Sequence, residues 1–148
     1  MIMALHILKL CVGCDSIEEL ADWQAERLAQ MKRAKQPAEL FHRTFQTPKR
    51  RDEVLDGGSL YWVIKGLIQA RQPLVDLRPG SKDDGTPCCL LMLAETLIPV
   101  RPTSCRAFQG WRYLADDDVP PDLTRGDRDT LADAPPAMRR QLAELGLL

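Results

Sequence analysis

Basic and aromatic side chains alternate through the middle of this chain. Arg43, Lys49, Arg50, Arg51, Lys65, Arg71, Arg78, Arg101, Arg106 and Arg112 are interleaved with Tyr61, Trp62, Phe108, Trp111 and Tyr113. Guanidinium forks clasp phosphate oxygens, and exposed rings stack on bases. The pattern points to a binding module for an anionic ligand, RNA or a nucleotide, on a basic and aromatic sheet face. The expected contacts are Arg43, Lys49, Arg50, Tyr61, Lys65, Gln69, Arg71, Trp111 and Arg112. Each has a plainer reading beside it. Tryptophans are core residues more often than platforms. Lys65, inside an apolar run, would be satisfied by an ion pair with Asp76 or Glu95, or by a head that reaches water.

Cys11-x-x-Cys14 is the second constellation. It has the spacing of half a zinc site or of a redox pair. A structural zinc needs four ligands, and Cys88-Cys89 is a poor second knuckle, because neighbours in a strand point to opposite faces. A redox motif sets its first cysteine at a helix N-terminus, and Cys14 stands one or two residues before one. A small thiol-dependent protein or enzyme using Cys11 and Cys14 is therefore the alternative to binding, with plain packing beside both. His6 and His42 are the only histidines, and both fall in strand-like runs. There is no nucleophile elbow and no phosphate-cradling glycine loop. No catalytic residue, metal or cofactor is assigned. A third reading is an interaction subunit that docks through its tail or its aromatic block.

The elements that must position these residues centre on Gly57 to Arg78. Gly57-Gly58 breaks the chain. Ser59 to Gly66 reads as a strand, with Leu60, Trp62 and Ile64 on a core face and Tyr61, Val63 and Lys65 on a mixed one. Leu67 to Gln72 reads as a second strand. Pro73 implies a bulge or an edge, and Val75 to Arg78 resumes extended. Before this, Ala4 to Val12 is strand-like. Ser16 with Glu19 matches a capping box, and Asp15 with Glu18 an alternative register, opening a helix to about Ala34 or Lys35 whose inner stripe is Ile17, Leu20, Ala21, Leu28 and Met31, with Trp23 near its edge. Leu40 to Thr47 alternates as a strand, and Lys49 to Asp56 fits a short helix whose charge order opposes its dipole. After it, Asp84-Gly85 marks a turn. Cys88 to Val100 reads as a long strand, broken by Pro99 and paired with Leu67 to Leu77, and Phe108 to Leu114 as a short aromatic strand or turn. The fold class is α+β: a mainly antiparallel sheet or partly closed barrel, with one long N-terminal helix and a short C-terminal helix near Pro135-Pro136.

The chain has 148 residues, 45% apolar and 28% charged, which suits a globular protein with one core. Residues 1–115 are expected to form one domain, and 116–148 an acidic, proline-containing tail. The net charge of −1 hides an uneven spread: residues 40–114 hold 11 basic and 7 acidic groups, and residues 115–148 hold 4 and 8. No run reaches the ~20 apolar residues of a membrane helix, and the N-terminus lacks a basic signal region. A cytoplasmic protein with reduced thiols and no membrane partner is expected.

The blocks LHILKLCVGC, TPKRRDEVLDGGSLYWVIKGLIQARQ and FQGWRYL resemble those of an uncharacterised bacterial family, a domain of unknown function, over about residues 3 to 123. That resemblance implies a small stand-alone cytoplasmic protein and carries over no functional residue. Strand-Lys-Gly followed by Ala-Arg-Gln is more loosely similar to small PUA-like barrels that bind RNA or modified bases, a likeness at fold level alone.

Overall fold

The structure is a computed structural model that describes residues 4–106 and 108–123. The short C-terminal helix expected near Pro135 lies outside the described residues. The elements in order are β1 (Leu5–Leu10), α1 (Ile17–Arg33), β2 (Leu40–Thr44), α2 (Arg51–Leu55), β3 (Ser59–Ile64), β4 (Leu67–Ser81), β5 (Pro87–Leu93), β6 (Ile98–Ser104), β7 (Trp111–Ala115) and a 3-10 turn at Asp116–Asp118. The fold is α+β and mainly sheet.

The strands form a mixed sheet in the order β2-β5-β4-β3-β1-β7, with β6 also paired to β4. The path runs open from β2 to β7 and does not close into a barrel. Among the described residues all pairings are antiparallel except β1 with β3, which run parallel in the register Ile7 to Leu60 and Lys9 to Trp62. Parallel neighbours need a long crossover, and α1, β2 and α2 supply it.

β4 is the axis. Its first half pairs with β3 and β6, and Leu74 to Ser81 pair with β5. Pro73 does not end the strand. It stands where β4 passes from one set of partners to the next, so its missing N–H falls at a junction. Leu74 N–H donates to Gly58, and Ala94 N–H donates to the Pro73 carbonyl at 3.0 Å. A bulge follows at Val75, between Leu74 and Asp76. The run expected as one strand from Cys88 to Val100 divides at Ala94 to Leu97, and its two parts, β5 and β6, each pair with β4.

The main core lies between the two parts of the sheet. Ile7, Leu60, Trp62 and Ile64 meet Leu40, Leu74, Leu77, Cys89, Leu91 and Leu93, closed by Leu20 of α1 and Val54 of α2. A smaller core on the opposite face joins Leu8, Tyr61, Val63, Ile68 and Val100. Both faces of β3 are therefore buried. The chain from Asp116 to Leu123 lies back on the sheet: Val100 bridges Asp122, Arg101 N–H donates to Pro121, and Leu123 N–H donates to Pro99. No helix among the described residues is long and apolar enough to cross a membrane.

Local signals explain the joints. Ser16 caps α1, its Oγ accepting from Glu19 N–H at 3.1 Å, while the Glu19 carboxylate accepts from Asp15 N–H. The helix ends in a Schellman-type turn, with Lys35 left-handed at φ 57° and Gln36 N–H bonded to Met31. Lys65 and Gly66, at φ 51° and 78°, make the tight β3–β4 turn, whose twist suits a two-residue hairpin. Lys65 is thus in the turn and not in the strand. It is exposed, with Nζ 3.6 Å from Asp15, and neither Asp76 nor Glu95 is its partner among the ion pairs of the described residues. The charge order expected to oppose the dipole of α2 does not arise, because the helix starts only at Arg51 and its first turn carries Asp52 and Glu53. Tertiary contacts add to this, with Val54 fully buried and Arg51 donating to Asp76 and to the Leu77 carbonyl.

Candidate functional site

The expected contact residues fall in several places. Tyr61 and Arg71 are cross-strand partners and share the smaller-core face. The Arg71 fork holds both Asp122 oxygens, at 2.7 and 2.8 Å, and its third nitrogen donates to Ser59 Oγ. Tyr61 is buried, and burial, reinforced by Asp122 and Asp116 against the opposing pull of Arg71, pushes its phenol up to about 12. Beside it His6 donates to Asp116 at 2.7 Å and accepts from Ser59 N–H at 3.0 Å. Both imidazole nitrogens are thereby occupied, and neither bonds the Ser59 hydroxyl, so this is no nucleophile–base pair. It is a polar clamp that ties the acidic segment to the sheet.

Arg50 is held by Glu53 in a fork-to-fork pair, and its N–H donates to the Tyr113 hydroxyl. Trp111 donates to the Gln46 carbonyl at 2.9 Å and meets Tyr113 edge to face. These two rings fasten the loop before α2, beside exposed Lys49. Gln69 donates to the Ile64 carbonyl across the hairpin. Arg112 lies over Phe108 at 5.1 Å, and Arg43 is exposed on β2. The structure brings Tyr61 with Arg71, and Arg50 with Trp111, but does not gather the nine into one surface.

The cysteines make a poor reactive centre. Cys11 and Cys14 are buried side by side, and burial pushes the Cys11 thiol up, with the Cys14 contact adding to it. A nucleophilic cysteine needs the opposite shift. Among the described residues no group of three or more His, Cys, Asp or Glu side chains is arranged for a metal.

The better site lies on the other face, between α1 and β2. Leu20, Trp23, Gln24 and Arg27 of α1, Leu40, Phe41 and His42 of β2, Trp62 and Leu93 line a cleft of about 40 Å³. A water needs roughly 10–15 Å³ on this measure, so the cleft takes the edge of one ring and not a whole nucleotide. α1 projects Trp23, Gln24 and Arg27 at the spacing of one helical turn. α1 buries only Leu20 completely, so this wall leans lightly on the sheet.

His42 Nε2 is the one buried side-chain N or O without a hydrogen-bond partner among the described residues. Its ring meets Trp62 edge to face at 5.3 Å. Burial, and then the charges of Lys9 and Arg27, hold its pKa down to about 4, so it is neutral near pH 7. Lys9 points to the same face as Trp62, and burial lowers its pKa too. Arg27 lies 4.6 Å over the Phe41 ring. Among the described residues neither Lys9 nor Arg27 has a carboxylate within 4 Å. Of the residues around the cleft, none was an expected contact. The signal was present in part, since Trp23 and Arg27 stand four apart on a helix face and His42 sits in an alternating strand. What joins them is tertiary.

A family model matches residues 7–148 of the chain. The chain belongs to that family, whose description is "Protein of unknown function (DUF1489)". The match covers nearly the whole chain, including the segment beyond Leu123, where the resemblance read from the sequence blocks stopped. The family brings no assigned activity to the site. Neither a curated protein nor a solved structure matches the chain.

Proposed function

We propose that this protein is a binding module for an anionic ligand of the nucleotide or RNA class, and that the ligand seats in the cleft between α1 and β2. One observation carries the reading: a buried imidazole nitrogen with no partner among the described residues, set among cations with no carboxylate of their own among those residues. A buried polar atom left without a hydrogen bond costs free energy, and a ligand that supplies the bond recovers it. An anion also offsets the mutual repulsion of Lys9, Arg27 and any proton on His42. Trp23 and Phe41 add ring surface at the mouth. The cations of the sheet face support the reading less, because Arg71 and Arg50 already hold Asp122 and Glu53.

The test is a titration of the purified full chain with nucleoside monophosphates and with pyrophosphate, followed by Trp fluorescence. Affinity should fall log-linearly as salt rises from ~50 to ~200 mM. Arg27→Ala should weaken binding by about tenfold or more, the scale of one charge-assisted hydrogen bond. No binding of any of these anions at low salt, or an Arg27→Ala protein that binds as wild type does, overturns the assignment.

A further inference from the structure

Gln72 is fully buried in the middle of β4, where a carboxamide has no packing advantage over leucine. Its amide makes four hydrogen bonds. Nε2 donates to the Ala94 carbonyl at 2.8 Å and to Gln24 Oε1 at 2.9 Å. Oε1 accepts from Trp62 Nε1 at 3.1 Å and from Gln24 Nε2 at 2.9 Å. The indole N–H can only donate and the backbone carbonyl can only accept. Together they fix which end of the Gln72 amide is nitrogen. The reciprocal pair then fixes the Gln24 amide as well, since its oxygen must face Gln72 Nε2 and its nitrogen must face Gln72 Oε1.

Gln24 lines the cleft beside Trp23 and His42. With one donor and one lone pair committed to Gln72, it keeps one N–H and one lone pair. A glutamine at a surface cleft ordinarily flips its amide end for end, which makes it a poor reader of donor against acceptor. This one cannot flip without breaking two hydrogen bonds in the core. The polar chain from Trp62 and Ala94 through Gln72 therefore delivers an oriented amide to the site. Such chains hold side chains to one geometry when every member is satisfied.

We infer that Gln24 reads the polar edge of a planar heteroaromatic ring inserted between Trp23 and Phe41, and that Trp62 and Gln72 are positioning residues for it. The inference rests on the anion-binding assignment above and narrows it. The ligand is a base-bearing phosphate, a mononucleotide or the unpaired end of a strand, with the ring edge in the cleft and the phosphate at the mouth by Arg27. A polyanion without a ring lacks the group that fills the cleft. A duplex keeps its ring edges paired and out of reach.

The experiment compares two ligands of like charge, a nucleoside monophosphate and ribose 5-phosphate, on the full chain by calorimetric titration, with melting curves on every variant. Wild type should prefer the nucleotide by roughly tenfold or more, the scale of one stacked base. Gln24→Leu should bring the nucleotide down toward ribose 5-phosphate. Trp62→Phe keeps the ring but removes the indole N–H that orients Gln72, and should reduce the preference between the two ligands. A loss of fold alone would weaken both ligands together and leave their ratio in place. Equal affinity of wild type for the two ligands sinks this inference and leaves an anion module standing. A full preference retained by Gln24→Leu also sinks it. Failure of both ligands to bind wild type overturns the anion assignment and this inference with it.

Discussion

Two side chains of similar polarity, both in strands, have opposite fates here. His6 has both nitrogens occupied, by Ser59 N–H and Asp116, and His42 has a buried nitrogen with no partner among the described residues. Sequence alone left the two equivalent, because each is a lone histidine in a strand-like run and the partners come from far away in the chain. His42 also carries a pH signature. Its folded pKa, about 4, lies below the ordinary 6.5. Between those values the unfolded chain binds the proton and the folded chain does not, so stability rises with pH across that window. It is fully present above about 6.5 and lost as pH falls to about 4. The contribution is about 1–3 kcal/mol. Carboxylates titrate near the lower limit too, so the difference between proteins is the readout. In urea melts His42→Leu should lose less stability between neutral pH and pH ~4 than wild type. Parallel pH profiles for the two would show that folding leaves the pKa of His42 where it is in the unfolded chain.

At the scale of elements, what was legible in the sequence was what is local. The Ser16 cap, the Asp84-Gly85 turn and the short helix before Gly57 each depend on residues within a few positions, and each stands as read. The continuity of β4 through Pro73, the division of residues 88–100 and the parallel β1–β3 pairing depend on partners elsewhere. So does the cleft, whose walls come from α1 and β2 with Trp62 behind them. Glycine illustrates the difference. Gly57-Gly58 reads as a breaker pair, yet Gly58 is required for contact and not for a turn. A Cβ there would stand 2.1 Å from the Val54 carbonyl and 2.3 Å from that of Leu5, both backbone atoms that cannot swing aside. Gly58→Ala should cost at least about 3 kcal/mol, at or beyond the upper end of ordinary overpacking, and yield little folded protein. At the next joint the sign reverses. Lys65 holds φ 51°, a region that asparagine tolerates better than lysine. Its ion pair with Asp15 is exposed and long, and contributes little. Lys65→Asn should raise the stability by about 0.5 kcal/mol in denaturant melts, and a clear loss would mean that the Asp15 contact matters more than its exposure allows.

For the whole molecule, the distribution of charge and thiols separates a binding module from a thiol-dependent one. Arg71 of the basic middle meets Asp122 of the acidic end, and Arg50, Arg51 and Arg78 meet Glu53, Asp76 and Glu39, so much of the apparent anion-binding charge is neutralised internally. Charge counts along a sequence do not register such pairing, and this is why the expected sheet-face site and the cleft diverge. The thiols follow the same logic. Cys11, Cys14, Cys88 and Cys89 are buried, while Cys105 is partly open beside Arg112. Thiol–disulfide exchange requires both access and a thiolate. Burial denies both to Cys11 and raises Cys89 as well. It raises Cys105 too, against the pull of Arg112, so access is what sets Cys105 apart. In a native titration with an aromatic disulfide reagent, one thiol of the five should react first, and Cys105→Ser should remove that phase. The other four should react only as fast as the fold opens, and at once in denaturant. Arg27→Ala should leave this order unchanged, because no cysteine lines the cleft. A fast phase that survives Cys105→Ser and disappears with Cys14→Ser would return the Cys11–Cys14 pair to candidacy as a working site, since no buried, hydrogen-bonded thiol pair reacts ahead of an open one unless the first turn of α1 moves to expose it.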